Sequence, residues 1–180
     1  MKLTGGLSDY SLRKIAIFVV AMAAVLSFGQ PSKAAAINIV SLGASNTAGK
    51  GVGAQESFTG QLEAMLRAKG YDVSIANAGV NGDTSAGMLA RLGSAVPDGT
   101  RLVILGANNA SNDIKNGEGA QHAANVSAIL SQLRARHIKV IMVPKLSVPR
   151  QADGQHFSVE GHTKMAASLL PLVIAAIGRR

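Results

Sequence analysis

Residues 37–49 read Ile-Asn-Ile-Val-Ser-Leu-Gly-Ala-Ser-Asn-Thr-Ala-Gly. A short apolar, β-branched run stops at Gly43 and gives way to small polar residues. That is the signature of a buried strand over Ile37–Leu42 followed by a tight turn. The pattern repeats along the chain. Asp72–Ala76 and Leu102–Leu105 are further apolar strands, the latter closed by Gly106, and Val140–Val143 is a fourth, ended by Pro144. Between them lie helical periodicities. Ser57–Lys69 puts Phe58, Leu62, Met65 and Leu66 on one face, Ser85–Val96 turns Met88, Leu92 and Val96 inward, and Gln121–Arg136 does the same with Val126, Ile129, Leu130 and Leu133. A polar loop spans Asn108–Gly119. A last helix over Val159–Ile177 should be interrupted at Pro171. Strands alternating with amphipathic helices predict an α/β fold with a parallel sheet covered on both faces. In such sheets ligands bind at the carboxyl ends of the strands.

The N-terminal segment reads differently. Arg13 and Lys14 precede an apolar run from Ile15 to Phe28, and small residues follow around Ser32–Ala36. This stretch of fourteen residues reaches only about 21 Å as a helix, short of the roughly 30 Å hydrocarbon core. Residues 1–34 are therefore expected to be a cleavable signal peptide, cut after Ala34 or Ala36, with residues 35–180 as a single domain. The expected location is periplasmic or secreted, with no stable membrane span after cleavage.

The 180 residues carry a formal net charge of +8, no Cys and only 3% aromatics. Loss of Lys2, Arg13, Lys14, Lys33 and Asp9 with the leader brings this to about +5. The remaining basic residues are scattered, which argues against nucleic-acid binding. Absence of Cys excludes disulfides, thiolate metal sites and a cysteine nucleophile.

The strand ends hold the candidate chemistry. Gly43–Gly51 is not a phosphate-binding loop, because five residues separate Gly43 from Gly49 and Gly51 occupies the place of the magnesium-binding hydroxyl. Ser45, just past a buried strand, is either a nucleophile facing the cleft or a simple helix cap. A glycine in Asn77–Thr84 can bring a backbone N–H close to a substrate oxygen, or merely make a turn. Asn108, after the third strand, can donate an amide to an oxyanion or cap its loop. Asp153 and His156 have the spacing at which a carboxylate can orient an imidazole. Of the other histidines, His122 and His137 flank the third helix and read as surface residues. His162 lies on the last helix, packing or facing water.

In order along the chain, these pieces resemble the motif blocks of the SGNH (GDSL-type) hydrolase family. Gly43, Ser45 and Gly49 match G-D-S-x-x-x-G. Gly82 matches the glycine of the second block by analogy with its N-x-x-x-x-G-D-T form, Gly106 and Asn108 match G-x-N-D, and Asp153 and His156 match D-x-x-H. The resemblance covers nearly all of residues 35–180. It implies a flavodoxin-like three-layer α/β/α sandwich. It also implies Ser45 as nucleophile, His156 as general base and Asp153 as its orienter. The oxyanion hole would be formed by the Ser45 N–H, the Gly82 N–H and the Asn108 amide. Neither cofactor nor metal is implied, and the partner is a small ester or thioester cleaved through an acyl-serine intermediate.

Ala44 and Asn109 stand where the family usually has aspartates. Only nine residues lie between Val143 and Asp153, too few for the usual helix and fifth strand. A sheet of about four strands is thus expected, with the fourth exposed as an edge or covered by the Pro144–Ala152 loop or a partner. The alternative use of the same fold is a catalytically weak protein that binds envelope carbohydrate or a protein partner.

Overall fold

The computed structural model describes residues 36–178. The expected signal peptide lies outside the described residues. Four strands form one sheet: β1 (Ile37–Gly43), β2 (Val73–Gly79), β3 (Leu102–Gly106) and β4 (Lys139–Met142). Their order is β2-β1-β3-β4 and every pairing is parallel. β1 and β3 are central. All five residues of β3 and the last five of β1 are buried, whereas β2 and β4 are partly exposed. Continuous apolar runs thus mark the inner strands, as burial on both faces requires.

Side chains alternate across the sheet and feed two cores. Ile39, Val73, Ile75, Leu102 and Ile104 pack with Phe58, Leu62, Leu66, Met165, Leu169 and Val173 on one face. Val40, Leu42, Val103 and Leu105 pack with Met88, Leu92, Val96, Ile129 and Leu133 on the other. The covering helices are α2 (Phe58–Ala68) and α7 (Val159–Ile177) on the first side. On the second are α3 (Ser85–Ala90), α4 (Leu92–Ala95) and α6 (His122–Ala135). This is the expected α/β/α sandwich. Two short helices follow inner strands: α1 (Ser45–Ala48) after β1 and α5 (Ala110–Lys115) after β3.

Several expected boundaries shift. β2 runs to Gly79, so Asn77 belongs to the strand and pairs with Ser41. The helix expected over Ser85–Val96 breaks at Arg91, whose guanidinium turns to Asp83 and to the Gly43 carbonyl. The loop expected over Asn108–Gly119 contains α5. Pro171 does not interrupt α7, which continues to Ile177 with Leu169 and Val173 buried on either side of it. Proline removes one donor and crowds the preceding turn, and packing against the sheet outweighs that cost.

No strand follows β4 among the described residues. Val143, Val148 and Phe157 tuck into the first core, but Met142 stays 42% exposed, so β4 is an open edge.

Candidate active site

The turn after β1 is built by absences. A Cβ on Gly43 would lie 2.2 Å from Thr47 Oγ1, and one on Gly106 2.7 Å from the same atom. One on Gly79 would lie 2.1 Å from the Ala48 backbone nitrogen. Three strand-end glycines therefore let α1 sit directly on the carboxyl edge of β2, β1 and β3. Asn77 clamps it there: its Nδ2 donates to the Thr47 carbonyl at 2.8 Å and to Thr59 Oγ1 at 3.0 Å. Gly49, at φ +77°, ends the short helix in the left-handed region. Ser45 is the first residue of α1. Ala44 beside it is buried, so a methyl group occupies a place where a carboxylate would need a partner.

On the other side of the turn, Gly82 has φ +76° with open space where a side chain would project. Its neighbour Asp83 is a tie point. The Asp83 carbonyl accepts from Asn109 Nδ2 at 3.0 Å and from Asn112 Nδ2 at 2.9 Å. The Asp83 carboxylate accepts from Arg91 Nε at 2.8 Å, and Arg91 Nη2 donates onward to the Gly43 carbonyl at 3.1 Å. Asn109 is buried, and its donor end faces the carbonyl, a bond that an aspartate could not make in its ionised form. The segments carrying Gly82 and Asn108 are thus fastened to each other and to the end of β1.

The third part is a closed loop before α7. Arg150 and Phe157 form an antiparallel bridge, Gln151 N–H donates to the His156 carbonyl at 2.8 Å, and Ser158 N–H donates to that of Pro149 at 3.1 Å. Asp153 and His156 stand at its tip. Asp153 Oδ2 lies 2.5 Å from His156 Nδ1, and its Oδ1 accepts from the backbone N–H groups of Gln155 and His156 at 2.9 and 3.0 Å. These bonds, the His156 ring first, hold the Asp153 carboxyl well below the usual carboxylate range.

Two side chains bind this loop to the turn after β1. Asn46 Oδ1 accepts from Phe157 N–H at 2.9 Å, and Gln151 Nε2 donates to the Lys50 carbonyl at 2.7 Å. Gly161 lets the loop lie on α7, since a Cβ there would be 2.1 Å from the Pro149 carbonyl oxygen. A bridged turn therefore occupies the short stretch in which the sequence left too few residues for a further helix and strand.

His162 anchors the same region from inside. It is fully buried, its Nδ1 accepts the Phe58 N–H at 3.1 Å, and its ring meets those of Phe58 and Phe157. Burial pushes its pKa down, keeping it neutral.

Ser45, Gly82, Asn108 and His156 line one open cleft of about 1230 Å³ at the carboxyl end of the sheet, with Asp153 behind His156. All five residues singled out in the sequence thus come together there. Three structural partners were not legible: Asn46, Asn77 and His162. The surface reading of His122 is corrected, because its Nδ1 contacts the fully buried Asp113 carboxylate and its ring lines the same cleft. Among the described residues no group of three or more His, Asp or Glu is placed to hold a metal. No described helix is long and apolar enough to cross a membrane.

Residues 41–176 match the model of the GDSL-like lipase/acylhydrolase family. Esterase TesA of Pseudomonas aeruginosa is 28% identical over 111 residues, which are 62% of this chain and 55% of that protein. The alignment thus spans about half the length of the relative. Among solved structures, TesA superposes with a TM-score of 0.66 at 22% identity, over 77% of this chain and 99% of that one. AlinE4, an SGNH-hydrolase family esterase, does so with a TM-score of 0.53 at 28% identity, over 81% and 80%.

Proposed function

Since this chain belongs to the GDSL-like lipase/acylhydrolase family, we propose that it is an exported serine hydrolase acting on small esters or thioesters. Ser45 Oγ attacks the carbonyl carbon while His156 Nε2 takes its proton, with Asp153 holding the ring through Nδ1. Charge on the carbonyl oxygen is met by the Ser45 and Gly82 N–H groups and the Asn108 amide. Collapse expels the alcohol or thiol, which receives the proton from His156 and leaves an acyl-serine. Water, deprotonated by the same ring, then releases the acid and restores Ser45.

The observation that supports this reading most is the placement of the Asp153–His156 pair. The loop bearing it is hydrogen-bonded to Asn46, the residue next to Ser45, and His156 and Ser45 open on one cleft. The cleft is wide, and Phe58 and Phe157 are the aromatics among its lining residues, which suits small accessible substrates better than a deep acyl tunnel. The basic leader and its apolar run support export.

The test is hydrolysis of nitrophenyl esters from C2 to C12 by the parent protein, Ser45→Ala and Asn108→Ala. Turnover is expected to disappear in Ser45→Ala and to fall about 100- to 1,000-fold in Asn108→Ala. Persistent turnover in Ser45→Ala would sink the mechanism. Turnover by none of them, with no labelling of Ser45 by a fluorophosphonate, would favour a binding role for the same fold.

A further inference from the structure

Among the described residues, the cleft is lined by basic side chains and by no acidic one. Of the twelve Lys and Arg residues within 36–178, four line the cleft: Lys50, Lys115, Lys145 and Arg150. None of the nine Asp and Glu residues in that range does. Of the eight basic residues away from the cleft, four face acids. Arg67 lies 2.9 Å from Glu63, Arg91 2.7 Å from Asp83, Arg136 3.3 Å from Asp98 and Lys164 3.1 Å from Glu160. Arg150 is engaged, donating to the Gln155 carbonyl and lying over the Phe157 ring. The three cleft lysines are exposed and make no ion pair with a described residue. They come from segments following three different strands, β1, β3 and β4. The lining charges are of one sign, with the Asp113 and Asp153 carboxylates set behind His122 and His156, and a concave wall so lined focuses its field on whatever enters.

His122 is a second, independent observation. Its ring is fixed from behind by Asp113, whose other carboxylate oxygen accepts the Ser85 N–H at 2.7 Å. Burial alone would raise the Asp113 pKa. The Ser85 N–H, the His122 ring and the Ser85 hydroxyl outweigh it and hold the carboxyl ionised. Nδ1 is therefore committed, and Nε2 is the ring atom left for an occupant of the cleft. A buried, hydrogen-bonded carboxylate spent on orienting a cleft-lining imidazole outside the Asp153–His156 pair is a built feature, not a solvated surface.

We infer that the cleft selects esters bearing a negative charge, a carboxylate or phosphate beyond the scissile bond. Lys115 and Lys145 supply the attraction and His122 a hydrogen bond. This rests on the hydrolase reading above and names its substrate class.

The test compares matched pairs. On the acyl side, the mono-nitrophenyl ester of glutarate is set against nitrophenyl pentanoate. On the alcohol side, butyryl glycerol phosphate is set against monobutyrin. In at least one pair, kcat/KM for the anionic member should exceed that of its neutral partner by about tenfold at low salt. The advantage should shrink as ionic strength approaches about 1 M. The ratio should collapse in the Lys115→Ala/Lys145→Ala double variant and fall on the order of fivefold in His122→Phe. Lys164→Ala should leave it unchanged. Neutral esters preferred in both pairs, or a ratio indifferent to salt and to the lysines, would overturn the inference. If no ester is hydrolysed in a Ser45-dependent way, the hydrolase reading fails on its own. Binding of the glutarate and pentanoate esters to Ser45→Ala, followed by NMR, then decides the charge question. Salt-sensitive, lysine-dependent binding of the anionic ester upholds the inference, and equal or absent binding rejects it.

Discussion

A methyl group at Gly79 would press on the backbone of α1, whereas one at Gly82 would meet nothing. The two glycines therefore fail in different ways. Gly79→Ala should cost about 3 kcal/mol, because backbone at both ends of the clash cannot move independently. Gly82→Ala should cost about 1–2 kcal/mol, since only its left-handed φ is at stake. Urea midpoints of both variants check this, and the reverse order would refute the account of α1 seating. The Asp153 carboxylate gives a second prediction. Its folded-state pKa lies below the ordinary 3.8, so its bonds to His156 are intact above the unfolded value and lost only as pH falls through the lowered one. The carboxyl carbon followed by NMR should titrate below the ordinary range, and His156→Ala should move it back up. At this scale the D-x-x-H spacing was legible because both partners lie within one turn of chain. Asn46 and His162 were not, because their partners Phe157 and Phe58 lie 111 and 104 residues away.

Elements follow the same division between local and distant causes. α2 announces itself by its apolar face and by Ser57, whose hydroxyl caps the Gly60 N–H. α5 does not. Its sequence, Ala-Ser-Asn-Asp-Ile-Lys, has no amphipathic stripe, and Ile114 is exposed. What holds it is tertiary: Asn112 on the Asp83 carbonyl and Asp113 on the Ser85 N–H. The break between α3 and α4 likewise depends on where Arg91 reaches. In the proposed mechanism, the loop carrying Asp153 and His156 is the element whose position matters most. Removing its bond to Asn46 in Asn46→Ala should lower stability by about 1 kcal/mol. It should reduce kcat on nitrophenyl acetate more than it raises KM, because the imidazole loses alignment while the cleft keeps its walls. A change in KM alone would mean that Asn46 serves binding and not alignment.

For the whole molecule, the sheet divides the interior. Leu169 and Ile129 are both fully buried, but in cores on opposite faces. Leu169→Ala should cost about 2–5 kcal/mol and Ile129→Val about 0.5–1.5 kcal/mol. With β-strands between them, the double variant should match their sum within about 0.5 kcal/mol. A larger discrepancy would show that strain crosses the sheet. The fold was legible at this scale because a parallel sheet imposes few orders and buried runs mark its inner strands. The shortened stretch after β4 was legible as a missing strand, but its replacement by a bridged turn was not, since that turn is set by contacts with α1 and α7. The strand order has a consequence for chain length as well as for stability. Ser45 and Asn108 leave from the two inner strands, and the loop bearing His156 is fastened to the turn after β1 and to α7. The margin of the sheet beyond β4 thereby takes no part in the proposed chemistry. Chain can be trimmed or added there without displacing the residues of the proposed site.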